Sequence, residues 1–370
     1  MLRLGLVWAA LAVYLVVLGC VLNESRAGRG SAGGAGGSSS PQRVPAAHSD
    51  VPLEGLPYCS ITMQLQRTDW IDKYEQSIDE IAAEGADTVQ FVVDPRMENG
   101  KSNRIWLDLR MTPGAEQLGR LIKRAKDKKL RVILMPIVLL DDPQGSEWRG
   151  SIKPGYWEGW FNNYREIMKF YSWIAEANHV DLLVVGSELV TTEDKLDEWT
   201  RTISMVREIY HGRLTYSSNW DHYTSVPFWD QLDMIGMNSY WKFADSEEHN
   251  PTVDEIVKRW REIQKDLFAF QQKVRKPIMF LEIGWFSQAN VAWEPWDYTQ
   301  EHQPIDLELQ RKLYEGFFRA WWGDPHLGGF SVWEWPPDKE GKEDRGYTPK
   351  GKPAEDVLKE WLGKPRWEVK

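Results

Sequence analysis

The sequence predicts an α/β protein with a single (β/α)8 TIM barrel, and three observations carry that expectation. Apolar, β-rich runs alternate with charged, helix-patterned stretches eight times from Tyr58 onward. Several runs are nearly continuous in hydrophobicity, as strands of a parallel sheet covered on both faces should be. Polar and aromatic residues gather at the C-terminal ends of the runs, the end at which such barrels place their sites. A doubly wound open sheet is the other architecture this alternation allows, but no G-x-G-x-x-G follows a strand.

The strand candidates in order are 58–65, 88–94, 130–140 and 180–188, then 213–220, 232–241, 276–285 and 328–335. Between them, "IDKYEQSIDEIAAEGAD" sets Ile71, Tyr74, Ile78, Ile81 and Ala82 on one helical face and stops at Gly85. "GAEQLGRLIKRAKDKK" does the same with Leu118, Leu121, Ile122 and Ala125. "DEIVKRWREIQKDLFAFQQKV" and "LELQRKLYEGFFRAWW" supply two more helices. The fifth unit is short, with room for only a minimal helix around "SVPFWDQL".

Ahead of the barrel, Arg3 precedes an apolar run of 19 residues from Leu4 to Leu22. That length is at the lower end of a bilayer span and long for a secretory h-region. Three readings compete: a signal anchor, a signal peptide cleaved after Ala27, and lipid attachment at Cys20 within "VLGC". Each exports the domain. The expected organisation is a leader over 1–26, a flexible Gly/Ser/Ala/Pro linker over 27–50 and the barrel over 51–370. Membrane contact is expected through the leader alone.

A net charge of −10 argues against a nucleic-acid partner, which usually leaves a basic footprint. It leaves a neutral substrate open. The 21 Trp residues exceed what core filling asks for, and flat aromatic faces suit amphipathic ligands such as sugars. The two cysteines, Cys20 and Cys59, exclude a disulfide framework, and Cys59 reads as a small buried residue.

The chemistry-bearing residues sit where the strands end. They are Asp94 and Arg96 after strand two, Asp141 and Asp142 after strand three, and Glu188 after strand four. Asn219 and Trp220 follow strand five, with Asn238, Tyr240 and Trp241 on strand six. Glu282 and Trp285 end strand seven, and Trp333, Glu334 and Trp335 close strand eight. Period-two alternation puts Leu182, Val184, Gly186 and Glu188 on one face, and Ile278, Phe280 and Glu282 on another. If those faces line the barrel interior, both glutamates point over its mouth, with Gly186 leaving space beneath Glu188.

Singly, either glutamate is as readily a solvated strand end; paired in matched contexts, they point to glycosidic bond cleavage. One protonated carboxyl gives its proton to the leaving oxygen while the other attacks the anomeric carbon or activates water. A metal site is the competing use of carboxylates, but His179, His211, His222 and His302 show no ligand spacing. A serine nucleophile lacks its G-x-S-x-G. No cofactor is expected.

On "VVGSELV", "LTYSSNWDHYTSVPFWDQLDMIGMNSYW", "KPIMFLEIGW" and "GYTPKGKPAEDVLKEW" the chain resembles glycoside hydrolase clan A. It is most similar there to family 113 and to the barrel domain of gene-transfer-agent and phage-tail proteins, over roughly Tyr58 to Trp361. The resemblance implies a retaining hydrolase of a poly- or oligosaccharide, with Glu188 as acid/base and Glu282 as nucleophile. It implies that the Tyr240 hydroxyl holds the nucleophile, and that Asn219, Trp220, Trp285 and Trp333 line the cleft. It further implies β-1,4-mannan as substrate and endo action. Asn238, Glu334, Asp94 and Asp141 are further candidate substrate contacts by position. Most clan members carry Asn before the acid/base, on the sugar 2-hydroxyl; Ser187 stands there here, which weakens transfer of substrate from cellulases or xylanases. A non-catalytic carbohydrate-binding or assembly module is the alternative, because fold does not fix function.

Overall fold

The computed structural model describes residues 54–297 and 303–369. The expected leader and linker, with Cys20, and also His302, lie outside the described residues. Eight parallel strands close into a barrel in sequence order: β1 (Tyr58–Gln64), β2 (Thr88–Val93), β3 (Arg131–Pro136), β4 (Leu182–Ser187), β5 (Arg213–Ser218), β6 (Ile235–Asn238), β7 (Ile278–Ile283) and β8 (Leu327–Val332). β8 pairs with β1, so no barrel edge is left open.

Helices α1 (Ile71–Ala83), α2 (Ala115–Asp127), α3 (Trp157–Ala177) and α4 (Leu196–Ile209) follow β1 to β4. After β5 comes only a 3-10 turn, Trp229–Gln231, where the sequence left room for little more. α5 (Val253–Val274), α6 (Leu307–Trp321) and α7 (Pro353–Leu362) follow β6 to β8. α5 starts where it does because Thr252 accepts from the Glu255 amide while Glu255 Oε2 accepts from the Thr252 amide, a reciprocal cap. Among the described residues, no helix is long and apolar enough to cross a membrane.

Two apolar layers fill the molecule. Inside the barrel, Tyr58, Val92, Ile133, Leu182, Val184, Met279 and Leu281 pack on one another. The larger layer lies between barrel and helices and takes the fully buried Trp160, Trp199, Trp260, Trp321 and Trp335. Each ring removes about 150–250 Å2 from water, so Trp supplies much of the force seating the helices. Cys59 is buried, as its apolar run implies, and burial pushes its thiol up.

Strict alternation fails at the two strands that matter most. On β7 the interior residues are Met279 and Leu281, while Ile278 and Phe280 face the helices. The register with both neighbouring strands shifts after Phe280, and this irregularity turns Glu282 to the mouth instead. On β4 the register with β5 shifts between Val184 and Ser187. Gly186 therefore does not open space beneath Glu188: a Cβ there would lie 2.8 Å from Trp199 and 3.0 Å from the Tyr164 hydroxyl, in the outer layer.

Candidate active site

A cavity of about 900 Å3 opens at the C-terminal end of the barrel, and both Glu188 and Glu282 line it. Glu188 sits just past β4 with φ at +52°, a left-handed conformation costing a non-glycine residue roughly 1–2 kcal/mol. Its amide donates to the Ser217 carbonyl at 2.8 Å, and the next amide, of Leu189, donates to the Tyr216 hydroxyl at 2.8 Å. The strained turn is thus tied to β5 on both sides. Backbone strain held by its surroundings is common where a side chain must be aimed.

The Glu188 carboxylate accepts from Arg149 Nη2 on one oxygen and from Asn238 Nδ2 on the other. Asn238 also donates to Asn219 Oδ1 at 2.8 Å, and its own Oδ1 accepts the Trp220 amide at 2.8 Å. Glu282 Oε2 accepts from the Tyr240 hydroxyl at 2.8 Å, whereas its Oε1 is buried without a hydrogen-bond partner. Burial, then the charge of Glu188, push Glu282 up to about 8. Two carboxyls facing one cavity repel each other's charge, and that repulsion adds to burial in favouring the protonated form of Glu282.

The other expected contacts divide. Asn219, Trp220, Tyr240, Trp333 and Glu334 line the cavity. Glu334 Oε2 accepts from Gln64 Nε2 at 2.5 Å, and burial pushes its carboxyl up. Asn238 lies behind the wall, fully buried, and reaches the cavity through Glu188, Asn219 and Trp220. Asp94 is 1% exposed beneath the rim, its two oxygens without a hydrogen-bond partner, and burial pushes it up to about 6.

Two expectations are corrected. Trp285 does not line the cavity: it is fully buried against Tyr314 and Phe243 in the helix layer, because the chain has already left β7. Asp141 faces outward on a short rim sheet beyond the barrel, paired to Arg96 at 2.8 Å. Ser187 is 1% exposed, with its hydroxyl unpartnered, so it offers the cavity nothing. The amide beside the Glu188 carboxylate comes from Asn238 on β6.

Sequence reading missed the residues that the connecting loops supply. Trp148 and Arg149 come from the long connection 137–156 after β3, Trp296 from the segment after β7, and Arg345 and Tyr347 from the segment after β8. The available signal was loop length, since long connections without regular structure are usually functional. Trp296 stacks on Trp220 with ring centroids 5.9 Å apart, and Trp148 is 40% exposed.

The wall after β8 hangs on one lysine. Lys352 has a fully buried side chain and donates to Asp344 Oδ1 at 2.7 Å, Ser287 Oγ at 3.0 Å and the Gly346 carbonyl at 3.1 Å. Lys352→Met is expected to cost about 1–3 kcal/mol by taking the shared donor from half-buried Asp344, Ser287 and the Gly346 carbonyl. Thermal unfolding checks this, and an unchanged midpoint would contradict it. Gly284 makes another close approach, because a Cβ there would lie 2.1 Å from the Trp333 carbonyl oxygen.

Among known proteins, the family model of Glycoside Hydrolase Family 113 matches residues 60–352. A family 113 β-mannanase from Alicyclobacillus acidocaldarius, solved with the ligand ManMIm, is 27% identical at TM-score 0.74, covering 83% of this chain and 98% of its own. A second solved family 113 β-1,4-mannanase is 25% identical at TM-score 0.74, covering 84% and 99%. A β-glucuronidase from Bifidobacterium dentium, 13% identical at TM-score 0.54, covers 85% of this chain and 48% of its own and shares the fold alone. No curated relative matches. The matched span takes in most of β1, all of β2 to β8 and both cavity glutamates, and the chain belongs to glycoside hydrolase family 113.

Proposed function

We propose that this glycoside hydrolase is a retaining endo-β-1,4-mannanase, with Glu188 as acid/base and Glu282 as nucleophile. The observation that carries the reading is that these two carboxyls meet over one cavity, with the Tyr240 hydroxyl on the second. The likeness to two solved β-mannanases of the same family supports the substrate.

In the first step Glu188 protonates the glycosidic oxygen while Glu282 attacks the anomeric carbon, forming a glycosyl-enzyme and releasing the leaving sugar. In the second, Glu188 takes a proton from water, the water oxygen bonds to the anomeric carbon and Glu282 departs as carboxylate. Aromatic faces at Trp148 and at the stacked Trp220 and Trp296 in the cavity lining give sugars a platform.

A panel of β-mannan, glucan, xylan and galactan tests the substrate. Rapid release of reducing ends from β-mannan, with short oligosaccharides as early products, is the expected result. Release from another glycan alone would contradict it, as would affinity without release. Tyr240→Phe removes one preorganised donor from Glu282 and is expected to lower kcat about 100-fold with little change in KM. An unchanged kcat would exclude that role. We further infer export, supported by the apolar run Leu4–Leu22; cell fractionation that finds the protein only in the cytosol would contradict this.

A further inference from the structure

The retaining chemistry asks Glu188 for opposite things in its two steps: a proton donor first, a base second. The structure presents Glu188 in the second guise. Both carboxylate oxygens accept from donors that do not give up their protons at working pH, Arg149 Nη2 and Asn238 Nδ2. A protonated Glu188 would lose one of these bonds, since its own O–H would face a donor.

Arg149 is built in for this contact. It opens a short 3-10 turn, Arg149–Ser151, in which Ser151 Oγ accepts the Trp148 amide at 3.0 Å and donates to the Trp148 carbonyl at 2.9 Å. Ile152 behind it is fully buried, and its carbonyl accepts from Thr191 just past β4. The Arg149 side chain is 24% exposed and that of Glu188 8%. Arg149 Nε is buried with no partner, so among the described residues Glu188 is the one group that hydrogen-bonds the guanidinium.

The charged and titratable groups around the pair come from every side of the barrel mouth. Glu282 of β7 and Tyr240 after β6 act on Arg149 alongside Glu188, and Asp94 after β2 feels its charge. Glu334 after β8 acts on Glu282, and Glu193, buried in the turn after β4, feels the charge of Glu188. Of these, Glu282 changes most during the reaction. Once esterified it carries no charge, and Arg149 then answers to Glu188 without that competing anion.

We propose that Arg149 is a positioning residue for the second step, gripping Glu188 as an ionised base aimed at the incoming water, and that in the first step the glycosidic oxygen takes its place. This rests on the retaining two-glutamate reading. Atoms balance as in the second step above, and Arg149 itself gains and loses nothing.

The test uses the full-length enzyme with 2,4-dinitrophenyl β-mannoside, whose leaving group needs no proton, so the second step limits turnover. Arg149→Met is expected to keep the initial burst of dinitrophenolate and lower steady-state kcat about 10- to 100-fold. The acid limb of kcat is expected to move to higher pH by about one unit, because the base loses its cation. Azide, which attacks without a base, is expected to restore turnover. Arg149→Lys is expected to show a smaller shift in the same direction, and it serves if the Met variant does not fold. An acid limb that stays put in the variants, or turnover that azide does not raise, would overturn the role of Arg149 while leaving the two-glutamate reading intact. A wild-type enzyme that turns over without forming a glycosyl-enzyme would overturn that reading, and the proposal with it.

Discussion

Glu282→Ala is expected to lose turnover on every substrate by roughly 10^5-fold, whereas Glu188→Ala loses the first step only where the leaving group needs a proton. The asymmetry follows from what each carboxyl supplies. Without Glu282 no covalent intermediate forms, however good the leaving group. Without Glu188, a dinitrophenyl glycoside still forms the intermediate but water cannot be activated, so the glycosyl-enzyme accumulates. Azide is then expected to resolve it as the β-glycosyl azide, two inversions having occurred. An α-azide from the Glu188 variant would reverse the two roles.

The second large effect is on stability, and its sign is opposite. Glu282 has its carboxyl raised to about 8 by burial and the neighbouring Glu188 charge, against about 4.3 for an unfolded glutamate. As pH rises between those values the unfolded chain releases this proton first, so the folded state loses stability across that window. Glu282→Gln removes the titration while keeping the shape. The variant is therefore expected to be inactive yet more stable than wild type at pH 8 by about 1–3 kcal/mol, with the gap shrinking toward pH 5. Thermal unfolding across that range checks it, and a gap independent of pH would contradict it. Such a result would show the site held at a cost that the Trp-rich helix layer offsets.

The barrel was legible in the sequence because its strands are long apolar runs and its helices are strongly amphipathic. The glutamate pair was legible for a related reason: a charge ending a fully apolar strand has few structural explanations, and two are fewer. The faces were not. Period two assigned Phe280 and Ile278 to the interior, and the structure puts them in the outer layer, because the register shift after Phe280 re-aims one side chain without marking the sequence. Gly186 was misplaced for the same reason on β4. Trp285 looked like a cleft residue because composition does not tell which of two apolar layers an aromatic enters. Arg149 carried no pattern at all: its partner is 39 residues away, and only the loop after β3 brings the two together.

Ser187 shows what spacing can and cannot carry across a family. It stands beside Glu188 where the resemblance led us to expect Asn, and its hydroxyl meets neither partner nor cavity. The amide that does reach Glu188 comes from β6: Asn238 donates to it, and its second bond orients Asn219 at the cavity wall.

The central claim, a covalent intermediate on Glu282, is open to one direct measurement. The enzyme is incubated with 2-deoxy-2-fluoro-β-mannosyl fluoride, digested and examined by peptide mass spectrometry. The mass of one fluorosugar on the peptide spanning "PIMFLEIGW", located at Glu282, is the predicted result. A label on Glu188, or hydrolysis to an α-configured first product with no label anywhere, would contradict it.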